Sequence, residues 1–428
     1  MEKKMEEINI IKQNYLYRKD IHRLIGKRRD INDYVLKNKT ANYLIKNIFD
    51  DKPFETIVVE MAEMYSVDNT IIEQDMTNFL KVITSVNMSE KKHLTSRQGI
   101  PLDLSIDELE FPMSIEIEIT KRCNWKCKFC YNVWKYTDVQ DEEIDMSWDT
   151  YRDIIDECAV NGCNNIRISG GEPTLHPMFK TFIQYAHEKG FRISIFTNAT
   201  LLNKEIVDFL KDNDVENVLI SLHGTNEMHD SFTGIKGSFD KTIEKIELLV
   251  KNNIGVSVET ILSGKLSENI ILEMSQILNN IGIEYWNFMP YVPTGSVYDD
   301  EYSVNAREAI GIVKKINEEQ KMNIRVVCSQ KLCLDTYEIE DADSNYFIDG
   351  NCAAGILWMS VSYEGKLRNC PHSNIYAGYV SDGIKKIYVE KIKPRIISIY
   401  ENKPKECKSC IVYESCKGGC HLNKIERY

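Results

Sequence analysis

No apolar run in the 428 residues approaches the roughly 18 positions that a membrane-spanning helix needs. The first residues, MEKKMEE, lack the apolar core of a secretory signal, so a cytoplasmic location with no membrane partner is expected. Positive charge is also in short supply: 53 Lys+Arg against 65 Asp+Glu leave a formal charge of −12 at pH 7 and a pI near 5.4. That balance argues against a nucleic-acid partner, which asks for a basic face, and leaves room only for a local basic groove that holds an acidic peptide. Disulfides are not expected, because a reducing compartment keeps thiols apart. The 13 cysteines therefore need another use, and metal or cluster ligation is the economical one. What the chain does have is length and apolar content. At 428 residues it exceeds one ordinary core, 43% of it is hydrophobic, and two or three globular domains follow.

The thiols gather first in Cys123-Asn-Trp-Lys-Cys127-Lys-Phe-Cys130, directly after an alternating run, Ser114 to Thr120, that reads as a strand. Three thiolates this close on a loop can hold three corners of a cubane iron-sulfur cluster and leave the fourth iron without a protein ligand. A structural zinc loop or clustered core thiols are the other readings of the spacing. The C-x3-C-x2-C pattern with an aromatic residue before the last cysteine resembles the radical S-adenosylmethionine (radical SAM) superfamily. The resemblance implies a [4Fe–4S] cluster on Cys123, Cys127 and Cys130 whose free iron chelates SAM. It also implies reductive cleavage of SAM to a 5′-deoxyadenosyl radical.

Strand and helix patterns alternate from residue 113 to about 300. Strands are expected at Ser114 to Thr120, Asn165 to Ser169, Arg192 to Thr197, Asn217 to Ser221, Gly255 to Ile261 and Glu284 to Phe288. Helices lie between them, among them Ser147 to Val160 with Ser147 as N-cap, and Lys241 to Lys251. Repeated β-α units imply an α/β fold with a parallel sheet, and a partial (β/α)6 barrel suits both the count and the family. In such sheets function sits at the carboxyl ends of the strands, and the cysteine loop follows the first one.

Ser169-Gly170-Gly171-Glu172-Pro173 ends the second expected strand. Two glycines let backbone approach a ligand closely, and Glu172 offers a negative group to an ammonium. The sequence matches the superfamily's GGEP motif, so Gly170, Gly171, Glu172 and Pro173 are implied to meet the amino group of SAM. Thr197 and Asn198 stand close to the family's TNG segment, and Ser221 matches a serine implied to lie at the SAM ribose. Two positions depart from the pattern. His223 stands where aspartate is frequent, and Thr233 where an arginine often pairs with the SAM carboxylate. Lys236 is a possible substitute for that arginine, or a solvated loop lysine. His223 reads as a proton donor at the site or as a satisfied polar residue. Tyr291 to Ser296 resembles the family's P-x-G segment, and Cys158 and Cys163 read as buried thiols.

Before residue 98 three amphipathic helices follow one another. Their stripes are Leu44, Ile45, Ile48 and Phe49, then Ile57, Val58, Met61 and Met64, then Ile71, Ile72, Met76, Phe79, Leu80 and Ile83. Pro53 suits a first helical turn and Thr70-x-x-Glu73 a capping box. Short extended stretches are expected at Tyr15 to Tyr17 and Asp33 to Leu36. The order resembles the RiPP recognition element, a winged-helix-like domain whose type member serves pyrroloquinoline quinone biosynthesis. The resemblance implies strand addition of a precursor's leader peptide at the Asp33 to Leu36 edge. A helical cap that only packs on the enzyme is the plainer reading. The stretch from Ser89 to Pro112 has linker composition.

The tail carries Cys352, twelve residues, Gly365, four residues and Cys370, then Cys407-x2-Cys410-x5-Cys416-x3-Cys420. This spacing resembles the SPASM signature without its final cysteine. The resemblance implies one or two auxiliary iron-sulfur clusters. Cys352, Cys370 and Cys420 would share the first with Cys333 or Cys328, and Cys407, Cys410 and Cys416 would hold the second. Zinc knuckles are the alternative.

The expected organisation is a leader-binding domain at 1–98, a linker at 99–112, a radical SAM partial barrel at 113–322 and a SPASM domain at 323–428. Together they are similar to peptide maturases of the subtilosin type, the sactipeptide and ranthipeptide thioether synthases. The implied activity is modification of a ribosomally made precursor peptide, with an electron donor such as flavodoxin or ferredoxin. A thioether or other crosslink is favoured over epimerisation, for which Cys328 or Cys333 would be the hydrogen donor. A maturase of a folded protein or a cofactor precursor, and a metal-bearing scaffold without turnover, are the other classes.

Overall fold

The computed structural model of the chain describes residues 2–27, 34–36, 38–85, 106–132, 144–283, 285–291, 315, 323–327, 346–349, 352–410, 413, 417–420 and 422. It forms two compact units, residues 1–96 with 103–110, and residues 97–102 with 111–428.

The first unit runs α1 (Glu2–Asn14), β1 (Tyr15–Arg18), β2 (Arg23–Gly26), β3 (Tyr34–Val35), α2 (Lys39–Phe49), α3 (Phe54–Tyr65) and α4 (Asn69–Ser85). The strands pair antiparallel in the order β1-β2-β3, which leaves β3 at an edge. Local chemistry sets the helix ends. The Asn38 side chain accepts from Thr40 N at 2.8 Å before α2, and Ser66 closes α3 in the left-handed region at φ 54°. The expected box at Thr70 is displaced, because the Asp68 carboxylate accepts both the amide and the hydroxyl of Thr70 at 2.8 and 2.5 Å. Pro53 is the N-cap of α3 and lies outside its first turn. Met64 and Ile71, expected on buried stripes, are 54% and 52% exposed, since the apolar faces of α3 and α4 centre on Ile57, Met61, Met76 and Leu80. Helix α1 and strand β2 went unforeseen. In the charge-rich α1 the core takes Ile8 and Ile11, too few to give a clear period.

The second unit is a sheet with helices. In chain order it holds β4 (Ser114–Glu118), α5 (Trp148–Val160), β5 (Asn165–Ser169), α6 (Phe179–Glu188), β6 (Arg192–Thr197), α7 (Lys204–Asp212), β7 (Val215–Ser221), α8 (Asn226–Thr233), α9 (Ser238–Lys251), β8 (Val256–Leu262), α10 (Glu268–Ile281) and β9 (Tyr285–Pro290). There follow β10 (Asn323–Val327), β11 (Tyr346–Asp349), β12 (Trp358–Val361), β13 (Lys366–Arg368) and β14 (Gly378–Tyr379). The strand order is β11-β10-β9-β8-β7-β6-β5-β4-β12-β13-β14. Strands β4 to β9 are the six expected ones, neighbours in sequence order and parallel throughout. The sheet is wider than six strands. Parallel β10 and β11 extend one side, and β12 pairs parallel with β4 on the other, followed by an antiparallel β13 and β14.

Strand alternation gives β4 and β5 two unlike faces. Ile115, Ile117, Ile166 and Ile168 are fully buried in one core with Ile154 and Ile155 of α5 and Phe182 of α6. The opposite residues, Glu116, Glu118, Arg167 and Ser169, are also buried, so this face is polar and enclosed. Ser147 caps α5 as expected, its Oγ accepting from Thr150 N at 3.1 Å. Ser147→Ala is expected to cost about 1 kcal/mol and to speed amide exchange in the first turn of α5. The first turn of α10, capped by Ser267, should keep its rate, and hydrogen exchange read by mass spectrometry compares the two.

Candidate functional site: the cysteine loop at the carboxyl end of the sheet

Cys123, Cys127 and Cys130 lie half-buried on the loop that leaves β4, at the carboxyl end of the parallel strands. The loop is pinned on one side by backbone. Gly171 N donates to Thr120 O at 2.7 Å and Glu172 N to Arg122 O at 2.6 Å. A Cβ on Gly170 would stand 2.5 Å from Thr120 O, and one on Gly171 would stand 2.1 Å from Arg122 O. The backbone that needs these glycines is the base of the cysteine loop itself, and not only a ligand as the motif suggests. On the other side Lys126 N and Lys128 N donate to Thr233 O and Phe232 O, both at 2.9 Å.

Side chains complete the seat. Trp125, 4% exposed, meets the His229 ring edge-on at 5.4 Å, and Phe129 meets His223 and Phe232 at 4.7 and 5.2 Å. Asn124 accepts from Asn198 Nδ2 at 2.7 Å and donates to Thr200 Oγ1 at 2.9 Å. Asn132 donates to Gly170 O at 3.1 Å. The sequence marks Phe129 as the aromatic residue before the last cysteine, but gives no sign of the roles of Asn124, Trp125 and Asn132 in seating the loop.

Glu172 is fully buried, and its Oε1 accepts from Thr174 N, Thr174 Oγ1 and Thr197 Oγ1 at 3.2, 2.6 and 2.6 Å. Its Oε2 accepts from Asn198 N at 2.8 Å. Burial pushes the carboxyl up, and these hydrogen bonds work against that rise. The carboxylate thus ties the Gly170–Pro173 turn to the end of β6, which brings Thr197 and Asn198 beside it. Pro173 is buried at the start of a short 3-10 turn. Ser221 stands half-buried at the end of β7, paired in register with Glu259.

The two departures from the motif have structural roles. His223 Nδ1 accepts from Ile261 N at 3.2 Å, and His223 N donates to His229 Nδ1 at 3.0 Å. Burial holds His223 well below the usual imidazole range and His229 at about 4, so both rings are neutral near pH 7. Thr233 is fully buried and shares its hydroxyl with Ser238 at 2.7 Å, while Lys236 is exposed in the next turn. Cys158 and Cys163 are buried thiols, as expected. Tyr291 is buried, and Val292 to Ser296 lie outside the described residues.

In the tail, Cys352, Cys370 and Cys420 share one small apolar cluster with Ala353, Ala354, Trp358 and Leu422. Burial pushes the Cys370 thiol well up, and the nearby Cys352 and Cys420 raise it further. Cys407 and Cys410 are half-buried, with Cys410 N donating to Cys407 O at 3.2 Å. Cys328, Cys333 and Cys416 lie outside the described residues. Among the described residues, no three His, Cys, Asp or Glu side chains are drawn together as ligands of a metal ion. The donor chemistry of the first loop nevertheless fits an iron-sulfur cluster: three thiols and no other ligand type, on backbone locked from both sides.

Residues 117–293, which hold the cysteine loop and the Gly-Gly-Glu-Pro turn, match the family model described as Radical SAM superfamily. That family implies a [4Fe–4S] cluster and SAM as cofactors. Among relatives, the antilisterial bacteriocin subtilosin biosynthesis protein AlbA of Bacillus subtilis (strain 168) is 29% identical over 265 residues, 60% of this chain and 56% of AlbA. The chain thus spans little more than half of AlbA's length. An AdoMet-dependent heme synthase of Methanosarcina barkeri (strain Fusaro / DSM 804) is 26% identical over 63% of this chain and 80% of that protein. Streptococcus suis SuiB bound to its precursor peptide SuiA superposes with a TM-score of 0.69 at 16% identity, over 97% of this chain and 96% of SuiB, which shows a shared fold. No helix among the described residues is long and apolar enough to cross a membrane.

Gly171→Ala is expected to unseat the loop, so that anaerobically reconstituted protein loses the iron held by Cys123, Cys127 and Cys130. Gly190→Ala, strained by a φ of 82° but with a Cβ that meets nothing within 4 Å, should keep its iron at some cost in stability, and iron and sulfide per chain separate the two. His229 gives a pH prediction. Between pH 6.5 and about 4 the unfolded chain takes up a proton here and the folded chain does not. Stability therefore falls with pH across that window, by about 1.4 kcal/mol per pH unit from this group. Denaturation of His229→Gln against wild type should show a shallower acid slope.

Proposed function

We propose that the chain modifies a ribosomally made precursor peptide by radical chemistry, most simply by joining a thiol sulfur to a peptide carbon as a thioether, or by another intramolecular crosslink. The observation that carries this reading is the pair of thiol sets in one unit, the loop after β4 and the Cys352–Cys370–Cys420 cluster. A crosslink leaves one electron over, and a second iron-sulfur site beside the first gives it a destination. When bound, the [4Fe–4S] cluster and SAM supply a 5′-deoxyadenosyl radical that removes a hydrogen atom from an unactivated carbon. The chain's own part is placement. Cys123, Cys127 and Cys130 hold the cluster. The Gly170–Gly171 backbone, Glu172, Pro173, Thr197, Asn198 and Ser221 shape the nucleotide's side of the site.

The SPASM reading of 323–428 belongs to this proposal, with Cys333, Cys352, Cys370 and Cys420 for one auxiliary cluster and Cys407, Cys410 and Cys416 for another. So do the leader-binding domain at 1–98, the linker at 99–112 and the barrel at 113–322. The edge strand β3 is where an extended leader peptide would add, since its outer backbone groups are the ones the sheet leaves available. A small electron-transfer protein such as flavodoxin or ferredoxin starts the cycle. AlbA and SuiB support a peptide substrate. Similarity over 80% of a heme synthase supports a second reading, action on a cofactor precursor.

Anaerobic reconstitution with SAM, a strong reductant and any small peptide found encoded beside this chain tests the proposal. Wild type should form 5′-deoxyadenosine and lower the peptide mass by two hydrogens, and the Cys123/Cys127/Cys130 triple alanine variant should do neither. Unchanged mass with deuterium uptake from heavy water would make the chain an epimerase. Absence of 5′-deoxyadenosine from wild type would end the enzymatic reading.

A further inference from the structure

Two aromatic rings join the loops that carry the two thiol sets. Tyr131 follows Cys130 directly, and its ring lies against the His372 ring, centroids 4.3 Å apart and planes inclined by 38°. His372 stands two residues after Cys370. From the last cysteine of the first loop to a cysteine of the second set, the route is covalent except for the one ring contact.

Both ends of the contact are fixed. Asn132, next to Tyr131, is buried and donates to Gly170 O at 3.1 Å. On the tail side Ser373 N donates to Cys370 O at 3.1 Å and closes the turn that carries His372. Arg368 donates to Ser373 O at 3.3 Å and pairs with Glu118 of β4, both side chains being at most 2% exposed. The residue after each ring is therefore tied by hydrogen bonds to the backbone that follows β5 or, through Arg368, to β4. A contact built from two such loops is reproducible in a way that a chance surface touch is not.

We infer that Tyr131 and His372 are positioning residues that conduct one electron between the two thiol sets. The inference rests on the proposed reading that both sets hold iron-sulfur clusters. The electron count is closed. Joining a thiol sulfur to a carbon breaks one S–H and one C–H bond and forms one C–S bond. The C–H hydrogen leaves as an atom to the 5′-deoxyadenosyl radical, and the thiol hydrogen leaves as a proton. One electron remains. An iron-sulfur cluster held by Cys352, Cys370 and Cys420 would take it up, and would pass it across His372 and Tyr131. A cluster held by Cys123, Cys127 and Cys130 would receive it and so be ready for the next SAM. An external donor is then needed to start the cycle and not at every turn.

The test uses the full chain with both sets loaded. An electron is placed by rapid photoreduction, and its redistribution between the sets is followed by freeze-quench electron paramagnetic resonance. Tyr131→Ala and His372→Ala are expected to slow the redistribution by about tenfold or more, whereas Tyr131→Phe and His372→Phe stay within about twofold of wild type. Iron and sulfide per chain should be the same in all five proteins. Alanine variants that redistribute at the wild-type rate, phenylalanine variants as slow as alanine, or loss of tail iron on removing the His372 ring would each overturn the relay. The wild-type iron count stands apart from these outcomes. Iron on the first loop alone would remove the two-cluster reading itself, whatever the variants do.

Discussion

The close approach of two stretches of backbone at the carboxyl ends of β4 and β5 is the constraint on which the site depends. Thr120, Lys121 and Arg122 lie so near Gly170 and Gly171 that no side chain fits between them. The two short hydrogen bonds across this contact place the loop before any cysteine is considered. The aromatic residues then work as plugs: Trp125 and Phe129 pack against His229, His223 and Phe232, while the three cysteines stay half-buried. A cluster-binding loop held by its own coordination bonds would be loose until loaded. This one is shaped in advance by packing and by backbone, so little order has to be imposed when iron arrives.

The enclosed polar face of the sheet follows a related logic. Burial pushes the Glu116 carboxyl up, while Arg167 and the Ser169 hydroxyl hold it back. Glu118 and Arg368 form an ion pair with almost no exposure. Buried pairs of this kind add little net stability, because removing two charges from water costs about as much as their attraction returns. Their value here is directional: Arg368 belongs to β13 and Glu118 to β4, so the pair ties the β12–β13 hairpin to β4.

Much of this was legible in the sequence, for identifiable reasons. Strands β5 and β6 begin and end where alternation of Ile with polar residues predicts, and Ser147 caps the helix it was expected to cap. The cysteine loop and the Gly-Gly-Glu-Pro turn were legible because their spacing is rigid and local. The partners of those residues were not. Nothing in the run from Ser169 to Pro173 says that its glycines face Thr120 and Arg122, or that the Glu172 carboxylate reaches Thr197 and Asn198, since both contacts join positions far apart in the chain. Strands β10 to β14 escaped for another reason. They are two to five residues long, in a stretch where cysteine spacing was the stronger signal, and a short apolar run has no period to read.

The wider sheet decides how the two thiol sets can work together. A tail joined to the rest of the unit by a linker would place its cysteines at a distance that varies with every domain motion. In this chain β12 continues the parallel sheet from β4 in register, Trp358 opposite Ser114 and Val361 opposite Ile117. The Glu157 carboxylate of α5 accepts from Ile384 N and Lys385 N at 2.9 and 2.8 Å, capping the helix that starts at Ile384 with a side chain from the first β-α unit. Tyr388, also fully buried, donates to Ile356 O at 2.6 Å and closes the layer between them. Loop and tail are thus parts of one hydrogen-bonded body, and the gap between Tyr131 and His372 is set by strand register. Electron exchange that depends on a single ring contact is practicable only on such a frame, because a shift of one residue in the β4–β12 register would turn Glu118 away from Arg368 and carry His372 out of reach.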